Sequence, residues 1–115
     1  MTLTMNDYQQ KTEATAIYPS EYGILYCSMK LSGEAGEVTE KVAKLIRDGN
    51  WQPHDNVLTE AEQEMVCKEL GDVLWYVARL AKESGLSLEQ VAQVNLNKLW
   101  DRQERGVLGG SGDER

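Results

Sequence analysis

Apolar residues recur every three or four positions along most of the chain, which is the period of an amphipathic helix. The clearest stripe lies in residues 20–48, and a second runs through residues 59–84. The first stripe consists of Ile24, Cys27, Leu31, Ala35, Val38, Val42 and Leu45. Residues 4–16 and 87–105 form two weaker segments, and the strict alternation of a β-strand is absent from the sequence. The pattern predicts an all-α fold, a bundle of about four helices whose stripes face a core.

Capping residues mark the ends of the predicted helices. Thr59 followed by Glu62 forms a capping box, in which a hydroxyl and an acidic side chain pair reciprocally at a helix start. Ser87 marks the start of the fourth helix, and Gly106 follows its end. Residues 49–58 contain Gly, Pro, Asn and Asp, so a loop is predicted before the third helix.

Length and charge narrow the range of functions. The chain has 115 residues, which predicts one domain, residues 1–105, followed by a flexible Gly-rich tail, residues 106–115. The formal net charge is -7, and this charge repels polyanions, so we expect no nucleic-acid partner. No apolar stretch reaches the roughly 20 residues that cross a bilayer, and the first residues lack a signal-peptide pattern. We therefore expect no membrane contact and a cytoplasmic location.

The two cysteines do not indicate a metal site. Cys27 and Cys67 lie inside predicted helices and lack the spacing of zinc ligands. Free cysteine behaves as a small apolar residue, so we expect both thiols to be buried. A disulfide framework is not expected in a reducing compartment.

One acidic pattern occurs twice, in the second and in the third predicted helix. In each copy, two acidic residues three positions apart flank a glycine and lie along one edge of the apolar stripe. The two copies are Glu34-Ala35-Gly36-Glu37-Val38 and Glu69-Leu70-Gly71-Asp72-Val73. Two helices that pack through their stripes would therefore bring four carboxylates together.

Each acidic pair taken alone has a simpler explanation. With nineteen acidic residues in the chain, roughly three such pairs arise by chance. Glu37 could also pair with Lys41, one turn later, on a solvated face. The repeated glycine favours a functional origin, because glycine inside a helix costs roughly 1 kcal/mol relative to alanine. Gly36 and Gly71 therefore predict close approach of another backbone.

Four carboxylates at one helix boundary predict a bound cation. Without one, the carboxylates would repel each other and would favour the protonated form. Ligation by oxygen alone suits Mg²⁺, or Mn²⁺, with water and substrate phosphate as the remaining ligands. A di-iron centre is disfavoured because it requires Glu-x-x-His pairs, and the one histidine, His54, lies in the predicted loop.

The fourth predicted helix carries positive charge. Asn95, Lys98 and Arg102 recur at helical spacing and form one stripe. Cations near a helix C-terminus are also common on a solvated face, so spacing alone leaves both interpretations open. In a binding stripe, Lys98 and Arg102 would contact phosphate oxygens, and Asn95 a sugar or a phosphate group. Tyr76, one turn after Asp72, could stack on a base or pack in the core.

These motifs resemble those of the MazG-like nucleoside triphosphate pyrophosphohydrolases, members of the all-α NTP pyrophosphatase superfamily. The resemblance extends from about Tyr8 through the tail, and its clearest segments are GEAGEV (33–38), KELGDVLWYVA (68–78) and NLNKLWDRQERGVLGGSGDER (95–115). It implies Mg²⁺-dependent hydrolysis of an NTP or dNTP to the monophosphate and pyrophosphate, with water as the nucleophile. A non-catalytic nucleotide-binding or regulatory helical module is the alternative.

The resemblance also implies roles for individual residues. The metal ligands and catalytic carboxylates would be Glu34, Glu37, Glu69 and Asp72. Asn95 and Lys98 match the helix-borne Asn and Lys of the family, which strengthens the phosphate interpretation of that stripe. The fold of the family implies a bundle completed by a second subunit, so we expect a homodimer or a homotetramer with the site near the interface.

Overall fold

The computed structural model describes residues 2–49, 51 and 56–115. This part of the chain contains four α-helices and no strand, which confirms the predicted all-α fold. The helices are α1 (Met5–Lys11), α2 (Gly23–Arg47), α3 (Glu60–Glu83) and α4 (Leu88–Glu104). His54 and much of the predicted loop lie outside the described residues.

The first two helices are shorter than the apolar pattern predicts. After α1 the chain tightens into a 3₁₀ turn over Thr12–Thr15, and a second 3₁₀ turn, Ser20–Tyr22, precedes α2. The Thr12 hydroxyl donates to the Gln9 carbonyl oxygen at 2.6 Å, a local bond that competes with the α-helical ladder. Tight turns of this kind are common at helix ends, and here they separate α1 from α2.

The caps of α3 and α4 are those that the sequence predicts. The Thr59 hydroxyl accepts from the Glu62 amide at 3.2 Å, and the Glu62 carboxylate accepts from the Thr59 amide at 2.8 Å. The Ser87 hydroxyl accepts from the Gln90 amide at 3.0 Å. Gly106 ends α4 with φ +72°, a left-handed conformation that glycine adopts without strain.

Helices α2 and α3 form the principal packed pair, and α4 packs against α1 and α3. The buried apolar side chains are Cys27, Ala78, Ala81 and Leu88. The predicted α2 stripe is only partly covered: Cys27 is buried, but Ile24 is 58% exposed. Cys67 is exposed, so the expectation of two buried thiols is wrong for this residue. None of the helices in the described ranges is long and apolar enough to cross a membrane.

Hydrogen bonds of the Gln9 side chain connect α1 to α3, to the turn that follows α3 and to the start of α4. Its side-chain amide donates to the carbonyl oxygens of Ala78 and Leu86, at 3.2 and 3.0 Å. Its side-chain oxygen accepts from the Leu88 amide at 3.0 Å. Gln9 is buried, and a buried backbone group without a partner is costly, so these bonds fix the start of α4.

Candidate functional site

Three of the four predicted ligand carboxylates meet between α2 and α3. Glu34 on α2 and the pair Glu69 and Asp72 on α3 each offer a carboxylate oxygen, and these oxygens lie within 4.8 Å of one another. Glu34 and Glu69 are half-buried, whereas Asp72 is exposed. Three carboxylate oxygens at this separation match the all-oxygen ligation that Mg²⁺ and Mn²⁺ prefer.

Glu37 follows Glu34 by one turn on α2 and is exposed. Its carboxylate is not a member of the group of three that converges in the described part of the chain. The repeated acidic pattern therefore corresponds to a cluster in which the α3 copy contributes both of its acidic residues and the α2 copy contributes one. Glu37 stays a predicted ligand, one helical turn from the cluster.

Two lysines lie beside the cluster. Lys30 Nζ is 4.0 Å from Glu34 Oε1, and Lys41 Nζ is 3.9 Å from Glu69 Oε1. Lys41 thus reaches across from α2 to α3, whereas the sequence suggested a pair with Glu37 on the same helix. Ion pairs at this distance and exposure contribute little stability. They offset only part of the repulsion among the three carboxylates.

The helix glycines beside these carboxylates do not have the predicted role. Apart from its chain neighbours and the backbone of its own helix, a Cβ atom added at Gly36 or Gly71 would meet no atom within 4 Å in the described structure. The expectation of close backbone approach is therefore wrong within one copy of the chain, because both positions face open space.

An aromatic cavity of about 420 Å³ opens next to the carboxylates. Its walls include Glu34, Asp72 and the rings of Tyr18, Tyr26, Trp75 and Tyr76. The rings of Tyr18 and Tyr26 stack with centroids 5.3 Å apart, and Trp75 meets Tyr76 edge-on at 4.8 Å. The cavity therefore joins a negatively charged edge to a wall of aromatic rings.

Tyr76 lines this cavity and is half-buried, so it is available both to a ligand and to packing. Burial, followed by the neighbouring hydroxyl of Tyr26, raises the pKa of Tyr76 to about 12. The phenol is therefore neutral at physiological pH and adds no charge to the acidic edge of the cavity.

The sequence pattern did not point to Tyr18 or Tyr26 as cavity residues, and it left Trp75 undecided between burial and base contact. Helical spacing offers a signal for Trp75, because it follows Asp72 by three positions and shares its face of α3. Tyr18 gives no such signal, since it lies outside the helices and reaches the cavity through tertiary packing.

The positive stripe on α4 binds the C-terminal tail. Asp113 Oδ1 lies 3.3 Å from Lys98 Nζ and 3.2 Å from Arg102 Nη2. The two cations, Arg102 above all, hold the pKa of Asp113 below its usual value. Arg102 is buried and Asn95 is exposed. Lys98 and Arg102 therefore bind a carboxylate together, while the cavity walls come from α2, α3 and the segment that precedes α2.

Comparison with known proteins assigns the family. The family model for the MazG nucleotide pyrophosphohydrolase domain matches residues 26–107, a span that holds the converging carboxylates and the whole α4 stripe. The chain belongs to the MazG family. A relative, the "Gene 37 protein" of Mycobacterium phage L5, is 46% identical over 114 residues, which cover 94% of this chain and 96% of the relative. No solved structure matches the chain.

Membership of the MazG family confirms the resemblance seen in the sequence motifs. It implies activity on nucleotides as a pyrophosphohydrolase, and members of the family typically depend on a divalent metal. The carboxylate cluster supplies the oxygen ligands that such a metal requires.

Proposed function

We propose that this MazG-family protein hydrolyses a nucleoside triphosphate, NTP or dNTP, to the monophosphate and pyrophosphate with Mg²⁺ or Mn²⁺. The observation that carries the proposal is the position of Glu34 and Asp72 in the wall of the aromatic cavity. A nucleotide has the complementary parts: a flat base that stacks on aromatic rings, and a polyphosphate that binds a divalent cation. The cavity supports both contacts in one ligand.

Glu34, Glu69 and Asp72 would hold the cation, with Glu37 as the fourth predicted ligand. A divalent cation held by these residues would lower the pKa of water, orient the triphosphate and offset charge on the phosphoryl oxygens. A carboxylate of the cluster orients the attacking water or accepts its proton. The water oxygen bonds to the α-phosphorus, the bond to the bridging oxygen breaks, and pyrophosphate leaves. The aromatic wall holds the base and excludes water from that side.

Asn95, Lys98 and Arg102 would contact the phosphate groups. Lys98 and Arg102 already bind the carboxylate of Asp113, so their spacing suits an oxyanion. A phosphate would take the place of that carboxylate. Because α4 does not border the cavity in the described chain, we propose that the α4 stripe acts at the site of a second copy.

We therefore propose that the protein is a homodimer or a homotetramer. Eighteen large apolar side chains are exposed in the described residues, among them Leu25 and Met29 on α2. The radius of gyration is 17.1 Å, whereas a compact chain of this length has about 13 Å. The exposed apolar side chains and the large radius of gyration both fit a protomer whose apolar faces pack against other copies.

Light scattering coupled to size-exclusion chromatography tests the assembly. We expect two or four times the chain mass of 12.9 kDa. Substitution of Leu25 by Glu places a charge on an exposed apolar face and should shift the population toward the single chain. A wild-type species of one chain mass at every concentration, with full activity, would contradict the proposed assembly.

A substrate screen tests the proposed reaction. Each common NTP and dNTP is incubated with the protein and Mg²⁺, and pyrophosphate and monophosphate are both measured. We expect equal amounts of the two products from at least one substrate, and no product after addition of EDTA. Binding without turnover would favour the non-catalytic nucleotide-binding module, and release of orthophosphate as the direct product would refute the proposed bond cleavage.

A further inference from the structure

A buried arginine, Arg79, lies behind the aromatic cavity, and its side chain is only 3% exposed. Its Nη1 donates to Glu13 Oε2 at 2.7 Å and to the Thr12 hydroxyl at 3.3 Å. Its Nε donates to the Tyr18 hydroxyl at 3.1 Å, and its Nη2 lies 3.6 Å from Glu83 Oε1. Three of these four partners belong to the segment between α1 and α2. Arg79 therefore ties that segment to α3.

Stability alone does not account for this buried cation. The desolvation cost of a buried guanidinium is roughly offset by its ion pairs, and an apolar side chain often stabilises such a position equally well. The nearby positions Ala78 and Ala81 on the same helix are indeed buried and apolar. What arginine adds is a rigid planar fork of donors that fixes several partners at defined positions.

The partner that links Arg79 to the cavity is Tyr18. Its hydroxyl accepts from Arg79 and donates to Glu83 at 2.5 Å, so the polar end of the side chain is held from two sides. Its ring stacks on Tyr26 and meets Trp75 edge-on at a centroid distance of 6.4 Å. The Tyr18 ring is therefore fixed in the cavity wall without a ligand.

The same segment supplies two more residues of the wall, Thr15 and Ile17. The Thr15 hydroxyl oxygen accepts from Trp75 Nε1 at 3.0 Å, a second tie between the segment and α3. Ile17 lines the cavity although its side chain is 94% exposed. A ligand in the cavity would cover this apolar side chain, so the segment presents a contact surface to the ligand.

We infer that Arg79 is a positioning residue for the nucleoside part of the substrate. The inference rests on the proposed function. By holding residues 12–18 against α3 before the substrate arrives, Arg79 removes the entropic cost of ordering this wall during binding. Its anionic partners are Glu13 and Glu83, not the carboxylates of the metal cluster. Loss of Arg79 should therefore weaken nucleoside binding and leave the chemistry at the phosphate intact.

Steady-state kinetics of the full chain test this role through Arg79→Met. We expect KM for the preferred nucleotide to rise about tenfold while kcat changes by less than about twofold. The inhibition constant of inorganic pyrophosphate should stay at the wild-type value, because pyrophosphate occupies the phosphate and metal contacts but not the nucleoside wall.

Two milder variants separate positioning from folding. Tyr18→Phe keeps the ring and removes only the hydroxyl held by Arg79 and Glu83, so KM should rise by about threefold. Glu83→Gln keeps an oxygen that accepts from Tyr18 but loses the ion pair with Arg79, so KM should rise, though by less than in Tyr18→Phe. Arg47→Met is the matched control, because Arg47 forms an exposed ion pair with Asp48 at the end of α2.

An unchanged KM in Tyr18→Phe and in folded Arg79→Met would overturn the inference. So would a parallel loss of kcat and of pyrophosphate inhibition, since that result indicates general damage. If Arg79→Met does not fold, the KM of Tyr18→Phe decides whether the inference holds.

Calorimetric titration with an α,β-methylene nucleotide analogue and Mg²⁺ measures nucleotide binding separately from turnover. An inactive wild type that binds the analogue more tightly than Tyr18→Phe does would refute the proposed reaction and support the positioning role. If the wild type is inactive and binds the analogue no more tightly than Tyr18→Phe does, both the proposed reaction and the positioning role are refuted. If the wild type is active, equal binding refutes the positioning role alone.

Discussion

We expect that replacement of Asp72 by Asn will lower kcat for pyrophosphate release by about a thousandfold, which corresponds to roughly 4 kcal/mol of transition-state stabilisation. Asp72 supplies one of the three carboxylate oxygens that lie within 4.8 Å of one another. Asparagine preserves the size of the side chain but removes its charge, and a neutral amide oxygen is a weaker ligand for a hard cation. The measurement is a pyrophosphate assay at saturating nucleotide and Mg²⁺. Glu34→Gln and Glu69→Gln should show losses of the same order.

Glu64→Gln is the matched control for these variants. Glu64 is an exposed residue of α3 that pairs with Lys68 one turn later, away from the cluster. This variant should keep activity within about twofold of wild type. Glu37→Gln should lose less activity than Asp72→Asn, because Glu37 lies outside the group of three. Full activity of Asp72→Asn, with a wild-type melting curve, would contradict the assignment of the cluster.

We expect that replacement of Gln9 by Ala will lower the free energy of unfolding by about 3 kcal/mol, because two buried hydrogen bonds and one part-buried hydrogen bond are lost and their backbone partners are left without a substitute. The lost bonds join the Gln9 side chain on α1 to backbone groups of Ala78, Leu86 and Leu88. For a chain of this size the melting temperature should fall by about 10 °C. Thermal unfolding followed by circular dichroism measures the effect.

Asn6 provides the control for Gln9. It also joins α1 to the start of α4, through a bond to the Glu89 carboxylate at 3.0 Å and one from the Glu89 amide at 3.1 Å. Both of these bonds are exposed, so water replaces them when Asn6 is changed to Ala, and the cost should stay below about 1 kcal/mol. Equal melting temperatures for the two variants would show that burial does not set the strength of this connection.

The helices could be predicted from the sequence because their signals are local. The three- and four-residue spacing places α2 and α3, and the Thr59–Glu62 capping box marks the start of α3. The first segment was harder to predict, since its apolar pattern does not distinguish an α-helix from the 3₁₀ turn at Thr12–Thr15. Whether the α2 stripe is covered could not be predicted from one chain either, because in the proposed assembly other copies would contribute to burial.

The candidate site, like the helices, could be predicted only where its sequence signals are local. The repeated acidic pattern predicted that carboxylates of α2 and α3 would meet, because helical periodicity places them along facing edges. The pattern does not distinguish Glu34 from Glu37, whose directions around the helix axis differ by only about 60°. Gln9, Tyr18 and Arg79 gave no signal, because the hydrogen bonds that join each of them to another element connect residues more than 60 positions apart. Such contacts become visible only in the folded structure.

Anomalous diffraction from crystals grown with Mn²⁺ and a non-hydrolysable nucleotide tests the central claim, that the carboxylates between α2 and α3 bind a divalent cation at the substrate phosphates. We expect a manganese peak within about 2.0–2.3 Å of oxygens of Glu34, Glu69 and Asp72, next to the polyphosphate, with the base against the aromatic wall. A bound nucleotide whose phosphates and manganese lie elsewhere, with these three carboxylates in contact only with water and lysine, would contradict the account.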